Sequence, residues 1–418
     1  MRIAIIGSGI SGLASAWLLG REHEVVLFEA NDYLGGHTHT HDIELDGRHY
    51  RVDSGFIVHN PAHYPLLHGL FDELGVASQP TTMSFSVRNE ATGLEYNATT
   101  LDTLFCQRRN LLSPRFIGMV RDLMRFYREA PSVLDLADAG PSLGDYLARH
   151  GYGAAFRDEH LVPMASALWS SPPESILKFP VQYLVRFMAN HQMLQVNDRP
   201  QWQVVRGGSR TYIEAMRTRW RVTERLSSPV RSVRRDADGV ALVSSHGTER
   251  FDQAIFACHS DQALSLLDDA SNAERTVLGA IPYQVNDTVL HTDASVLPSH
   301  RKAWAAWNAL LPAAPGEACT VSYYMNLLQR IESPRPFIVS LNQTGRIDPA
   351  RILRRMTYAH PVYTAATVRA QSRKGDIQGV NRYWFAGAYW GWGFHEDGMR
   401  SAMDVVNGIR RVCARNTA

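Results

Sequence analysis

The sequence predicts an α/β fold (α+β overall), in which a parallel-sheet domain is interrupted by a domain of mixed sheet and helices. Two stretches carry this prediction: residues 1–30, and the run RYWFAGAYWGWGFHEDGMRSAMDVVNGIRRV from Arg382 to Val412. The first reads as strand, glycine loop, helix and strand. The second reads as a strand from Tyr383 to Phe385, a glycine-rich turn, and a helix from about Gly398.

Taken in order, Arg2 to Ile6 is a short apolar run ending at Gly7, the form of a buried parallel strand. Gly7, Gly9 and Gly12 then give G-x-G-x-x-G, with Ser11 inside it. In such a loop the first glycine permits the tight turn and the second lets backbone approach a pyrophosphate. The third packs helix onto strand. Leu13 to Leu19 continues as a helix whose unpaired amino-terminal N–H groups face the phosphates. A second strand, Glu24 to Phe28, ends in Glu29, an acid placed to accept hydrogen bonds from a ribose hydroxyl. Together these make a Rossmann-like dinucleotide-binding unit. Ile3 to Gly20 is apolar enough to suggest an export signal or a membrane span, but its glycines occupy turn positions. A charged, strand-containing segment follows at once, and no small-residue cleavage site is present. The expectation is a soluble, cytoplasmic protein.

Composition narrows the function classes. The chain has 418 residues, enough for two or three domains, and a formal charge of +2 with scattered basic residues. That pattern argues against a nucleic-acid partner. The lysines are Lys178, Lys302 and Lys374; the remaining basic residues are arginines. Cys106, Cys258, Cys319 and Cys413 are far apart and form no C-x-x-C, which disfavours zinc ribbons, redox dithiols and disulfide frameworks.

After Glu29 comes Gly35-Gly36, then His37 and Thr40. This resembles the G-G-R-x-x-T segment of the flavin amine oxidase and phytoene desaturase superfamily, with His37 in the usual Arg position. The resemblance implies FAD, with this segment along its diphosphate. The V-D-S-G run from Val52 to Gly55, continued by Phe56, matches the segment that passes the isoalloxazine ring in that superfamily. The carboxyl-terminal run is similar to the closing F-A-G-D motif, with Ala388 in place of Asp. By the same resemblance Gly387, Phe394, Asp397 and Gly398 belong to the flavin's pyrimidine edge. A helix dipole there stabilises the negative charge of reduced flavin. The alternating His37, His39 and His41 also allow a weaker zinc reading, since on a strand they would share one face.

If both ends of the chain build the FAD domain, that domain is discontinuous: 1–74, 200–280 and 375–418, of the glutathione-reductase/amine-oxidase type. The substrate domain is then 75–199 and 281–374. The glycine pair Gly207-Gly208 resembles the superfamily's return to the FAD domain. The stretch that follows reads as three strands joined by D-G and H-G turns. In relatives the residue corresponding to Val230 contacts adenine through its backbone. Arg108 to Ala130 is an amphipathic segment with apolar residues at helical spacing and several arginines. A helix with one face on a core is the preferred reading, and a membrane-surface helix the other. Ala167 to Trp202 is dense in aromatic residues and Met, among them Trp169, Tyr183 and Phe187. It either lines a long apolar pocket or is core; periodicity does not distinguish them.

The strings VDSGFIVHN, AYWGWGFHEDG and HEDGMRSA narrow the resemblance to bacterial amine-oxidase-like proteins encoded beside cyclopropane-fatty-acid-synthase-type methyltransferases. That resemblance implies a methylated fatty acyl or phospholipid substrate and such a methyltransferase as partner; the membrane-surface reading of 108–130 would add peripheral contact with the inner membrane face. Amine oxidases place a Lys near flavin N5; the corresponding run Thr288 to Thr292 contains none, and Lys302 lies farther on. Ala386 to Gly398 holds no Cys, so FAD is expected to be non-covalent. The expected function is FAD-dependent desaturation by hydride transfer, with amine oxidation or double-bond isomerisation as alternatives. A FAD-binding partner of the methyltransferase is the non-enzymatic alternative. His395, Glu396 and His59 are the candidate bases. Tyr389, Trp390 and Trp392 are expected to wall the substrate pocket together with Trp169, Tyr183 and Phe187.

Overall fold

The computed structural model describes residues 1–136, 140–169, 171–196, 199–314 and 319–416. Ser170, Asn197 and Asp198 of the aromatic-rich segment, and residues 137–139 and 315–318 of the predicted substrate domain, lie outside the described residues.

Five parallel strands form one sheet, in the order Val222–Arg225, Glu24–Phe28, Arg2–Ile6, Gln253–Phe256 and Tyr383–Phe385. Each is a short apolar run because both faces are covered. Ile3, Ile5, Val25, Leu27 and Ile255 point into one layer, against helices Ile10–Leu19 and His395–Asn416. Ala4, Ile6, Val26, Phe28 and Phe256 point into the other, under an antiparallel ribbon of Ser232–Asp236, Gly239–Ser244 and Gly247–Phe251. The two helices cross closely at Gly398, where a β-carbon would lie 2.6 Å from Ile10. Ser11 Oγ donates to the Gly398 carbonyl at 3.0 Å across that crossing.

A second sheet has seven strands, ordered Ile352–Pro361, Tyr283–His291, Ile338–Leu341, Thr320–Tyr324, Trp307–Leu311, Phe85–Asn89 and Leu94–Asn97. Its pairings are antiparallel except between Trp307–Leu311 and Phe85–Asn89. That parallel joint unites two stretches separated by more than half the chain. Between them in sequence lies a helical layer that includes Pro114–Glu129, Val162–Trp169 and Val181–Asn190. Phe116, Met119, Phe126, Phe156, Phe179 and Phe187 fill its core. The predicted 108–130 segment divides into a turn at Arg108–Leu112 and the helix Pro114–Glu129. Ser113 caps that helix by accepting from the Phe116 N–H, and Pro114 occupies its first turn.

Asp53, which closes the hairpin Thr40–Leu45/Arg48–Asp53, ties that hairpin to the start of helix Arg210–Arg217 and to the end of helix Met325–Leu328. Its buried carboxylate accepts from Ser209 N and Oγ at 3.0 and 2.9 Å and from Gln329 Nε2 at 2.8 Å. Thr40 Oγ1 donates to it as well. Burial pushes the Asp53 pKa up to about 6 against these stabilising bonds. Among the described residues no helix is long and apolar enough to cross a membrane.

Candidate functional site

A cavity of about 1530 Å³ runs between the two sheets. This exceeds the usual volume of a site for one small ligand, about 300–1000 Å³. Its first limb lies over the carboxyl ends of the parallel strands, where open α/β sheets bind ligands. Gly7, Gly9, Ser11, Glu29, Gly35, Gly36 and Val230 line it.

The glycines do three different things. Gly7 has φ +101°, and a β-carbon there would sit 2.9 Å from the Ala257 carbonyl carbon. A β-carbon on Gly12 would lie 2.0 Å from the Gly7 carbonyl oxygen, so Gly12 sets the helix–strand contact and lies behind the cavity wall. A β-carbon on Gly9 would meet nothing within 4 Å; any side chain there would enter the cavity. That cradle is open where a diphosphate would lie along the backbone.

Glu29 is buried, and its carboxylate already works within the protein. Oε2 accepts from Ser8 N at 3.0 Å and Ser8 Oγ at 2.6 Å; Oε1 accepts from Asn31 N and Nδ2 at 2.9 and 2.8 Å. The acid therefore pins the glycine loop as well as facing the space for a ribose.

At the elbow of the cavity stand His37, Gly55, Phe56, Gly387, Tyr389, Phe394 and His395. The His37 Nε2 is buried without a partner, as is the Tyr389 hydroxyl. Orphaned polar atoms facing a cavity are the mark of a group that a ligand satisfies. His37 packs against Tyr358 and His360 at 4.9 and 5.1 Å between ring centres, with His259 at 6.1 Å. Desolvation lowers His37 and His360 to about 3 and His259 to about 4, so the cluster is neutral. His39 and His41 lie against each other at 4.0 Å between ring centres and meet Tyr358 Oη at 3.1 Å and Ser54 Oγ at 2.8 Å respectively. Among the described residues no group of three His, Cys, Asp or Glu side chains is placed to hold a metal ion, so the alternating histidines do not make a zinc site.

Of the three candidate bases, the structure brings His395 alone to the cavity. Its ring stacks on Phe56 with 3.6 Å between centres, and its Nε2 lies 3.0 Å from Thr38 Oγ1. Burial, with His37 and His59 nearby, lowers its pKa well below the usual histidine value. Glu396 points the other way and caps helix Pro65–Leu74, accepting from the N–H groups of Leu66 and Leu67 at 3.1 Å each. His59 is fully buried between His68, at 2.9 Å, and Ser78. Neither lines the cavity.

Other expected site residues also stand behind the wall. Thr40 serves Asp53 and accepts from the Arg210 N–H at 2.9 Å. Asp397 accepts from Trp392 N and Phe394 N at 3.0 and 3.1 Å, fixing the turn before the last helix. Burial pushes its pKa up to about 6. Gly398 belongs to the helix crossing. Among the aromatics, Phe187 and Tyr389 line the cavity, whereas Trp169, Tyr183, Trp390 and Trp392 do not. Trp169 Nε1 donates to the Trp392 carbonyl at 3.2 Å and Tyr183 Oη to the Gly391 carbonyl at 3.2 Å. They fasten the glycine-rich turn to the helical layer. Trp390 Nε1 donates to Phe385 O at 2.9 Å.

The second limb enters the helical layer between Met83, Phe85, Met119, Leu123, Met164 and Leu168. Sequence reasoning missed His259, His360 and Tyr358. His259 had a usable signal, since it follows the carboxyl end of strand Gln253–Phe256. His360 and Tyr358 arrive on strand Ile352–Pro361 with no local motif.

Residues 10–289 match the family described as flavin containing amine oxidoreductases. The chain belongs to this family. FAD is its cofactor, and the open glycine cradle, the pinned acid and the unpartnered His37 fit that group. A segment of 93 residues is 41% identical to 1-hydroxycarotenoid 3,4-desaturase of Flavobacterium sp. (strain P99-3). It spans 22% of this chain and 17% of the desaturase. The fold is similar to that of cyclohexylamine oxidase from Brevibacterium oxydans IH-35A, with a TM-score of 0.70, 16% identity and 99% of each chain covered. It is also similar to a CLA-producing fatty acid isomerase from P. acnes, with a TM-score of 0.68, 16% identity, and 97% of this chain and 98% of that one covered.

Proposed function

We propose that the protein is a FAD-dependent oxidoreductase that dehydrogenates an apolar substrate, a methylated fatty acyl chain of a phospholipid. One observation carries this reading. Among the described lining residues the only carboxylate is Glu29, at the nucleotide end. A protonated amine in the second limb would leave water with no acid to meet it, and an unpaired buried charge is strongly disfavoured. An alkyl chain gains there instead, by about 0.8 kcal/mol for each buried methylene.

In this reading two C–H bonds break on adjacent carbons and a C=C bond forms. FAD, when bound, would supply the two-electron acceptor for the hydrogen that leaves as hydride. The other would leave as a proton to the imidazole of His395, the candidate base that lines the cavity; burial disfavours its protonated form, so it would hold that proton only in passing. Thr38 and Phe56 hold the position and plane of that ring. The non-covalent attachment of FAD rests on the absence of Cys between Ala386 and Gly398. The substrate's methyl branch and a methyltransferase partner rest on the resemblance of the strings VDSGFIVHN, AYWGWGFHEDG and HEDGMRSA.

The test is aerobic turnover of a methylated phospholipid, with product mass and hydrogen peroxide both measured. Loss of two hydrogens per chain is the expected result. An unchanged mass with a shifted double bond would make the protein an isomerase, and turnover of polyamines alone would make it an amine oxidase.

A further inference from the structure

The apolar limb reaches the surface at a mouth whose described rim includes Leu101, Met124 and Arg199, all exposed. Leu101 is 75% exposed and Met124 49%. The turn Arg108–Leu112, which leads into the helix that carries Met124, presents Leu112 at 89% and Leu111 at 51% exposure. Helix Pro114–Glu129 buries Phe116, Met119 and Phe126, and turns a different stripe to solvent: Ile117, Arg121, Met124 and Arg128. Those positions share one helical face. Leu111, Leu112, Ile117 and Met124, all exposed on one turn and the helix that follows it, are more than the scattered surface hydrophobics of an ordinary fold.

The charge on this face is basic. Arg121 and Arg128 lie on that stripe, with Arg108 and Arg109 on the turn before the helix. Arg108 pairs with Asp102, Arg128 with Glu129, and Arg109 donates to the Gly93 carbonyl, while Arg121 has no hydrogen-bond or ion-pair partner among the described residues. Asp122, on the same helix, faces inward and accepts from the Gly153 N–H at 2.8 Å. Protruding leucines flanked by arginines, beside an apolar tunnel mouth, complement a bilayer with anionic headgroups.

We propose that Leu111, Leu112, Ile117 and Met124, with Arg121 and its neighbours, form a docking face for an anionic lipid surface that sets the tunnel mouth against the acyl layer. That an acyl chain enters the tunnel rests on the dehydrogenase reading above; docking itself does not. The leucines would enter the headgroup boundary, and the arginines would meet lipid phosphates.

The test is co-sedimentation of the FAD-loaded protein with vesicles, with no turnover involved. Vesicles of phosphatidylglycerol and phosphatidylcholine should bind the protein, and phosphatidylcholine alone should bind it at least ~10-fold less. The double variant Leu111→Asp/Leu112→Asp should lose about 100-fold in partition while keeping its FAD content and melting temperature, because both residues are exposed. Arg121→Glu should weaken binding to the anionic vesicles alone. Equal binding of wild type and the double variant, or no binding to either vesicle, would overturn the proposal. So would a wild-type dimer that the double variant dissolves, since the face would then belong to a second copy of the chain. A protein that docks but never oxidises lipid would contradict the dehydrogenase reading and leave the docking face standing.

Discussion

At the residue scale, Gly9 and Gly12 separate binding from folding. Gly9→Leu should fold and lose FAD, because the space beyond its missing β-carbon is cavity; Gly12→Leu should fail to fold, because that space is the Gly7 carbonyl. Expression yield and the flavin absorbance of the purified variants check both, and a fully flavinated Gly9→Leu would refute the cradle. Glu29→Gln should weaken FAD about ten- to hundredfold, equivalent to roughly 1.5–3 kcal/mol for a charge-assisted bond. The amide can no longer accept on both sides, so the Ser8 or the Asn31 contact is lost along with the ribose bond. Fluorescence titration of apoprotein with FAD reads this, and an unchanged Kd would remove Glu29 from the site. The glycines were legible in the sequence because backbone geometry at a phosphate loop leaves few residues that fit. The roles of Glu396 and His59 were not. Whether a polar side chain at a motif faces a ligand or caps a neighbouring helix depends on an element distant in sequence.

At the element scale, the glycine-rich turn before the last helix is held from the helical layer by Trp169 and Tyr183. Trp169→Phe should destabilise the protein by about 2–4 kcal/mol, through lost volume and an unpaired Trp392 carbonyl. Denaturant unfolding with tryptophan emission measures it; a change below the experimental error would show the bond to be incidental. The βαβ unit was readable because its strand, loop and helix are contiguous. The seven-stranded sheet was not, since its parallel joint pairs Phe85–Asn89 with Trp307–Leu311 and no local pattern encodes that register. The aromatic segment posed the same difficulty. Its spacing shows that Trp169, Tyr183 and Phe187 are buried, but only packing decides that Phe187 alone of these reaches the cavity.

At the scale of the whole molecule, buried neutral histidines govern the acid limb of stability. His37, His41, His59 and His360 are lowered to about 3, and His160, His191, His259 and His291 to about 4, mainly by desolvation. Each folded pKa lies below the ordinary value of about 6.5, so the unfolded chain binds more protons between the two. Their contribution is fully present above pH 6.5 and is lost as pH falls toward 4. Asp53 and Asp397, raised to about 6, act in the opposite sense but are outnumbered. The melting temperature should therefore fall steeply between pH 6.5 and 4.5, and a flat profile would mean that these imidazoles are already charged or solvated. The central claim, that the cavity joins a FAD site to an acyl tunnel, is tested most directly by mixing the FAD-loaded protein anaerobically with candidate substrates. Methylated phospholipid should bleach the flavin absorbance while putrescine and spermidine leave it unchanged; bleaching by a polyamine and none by lipid would contradict the account.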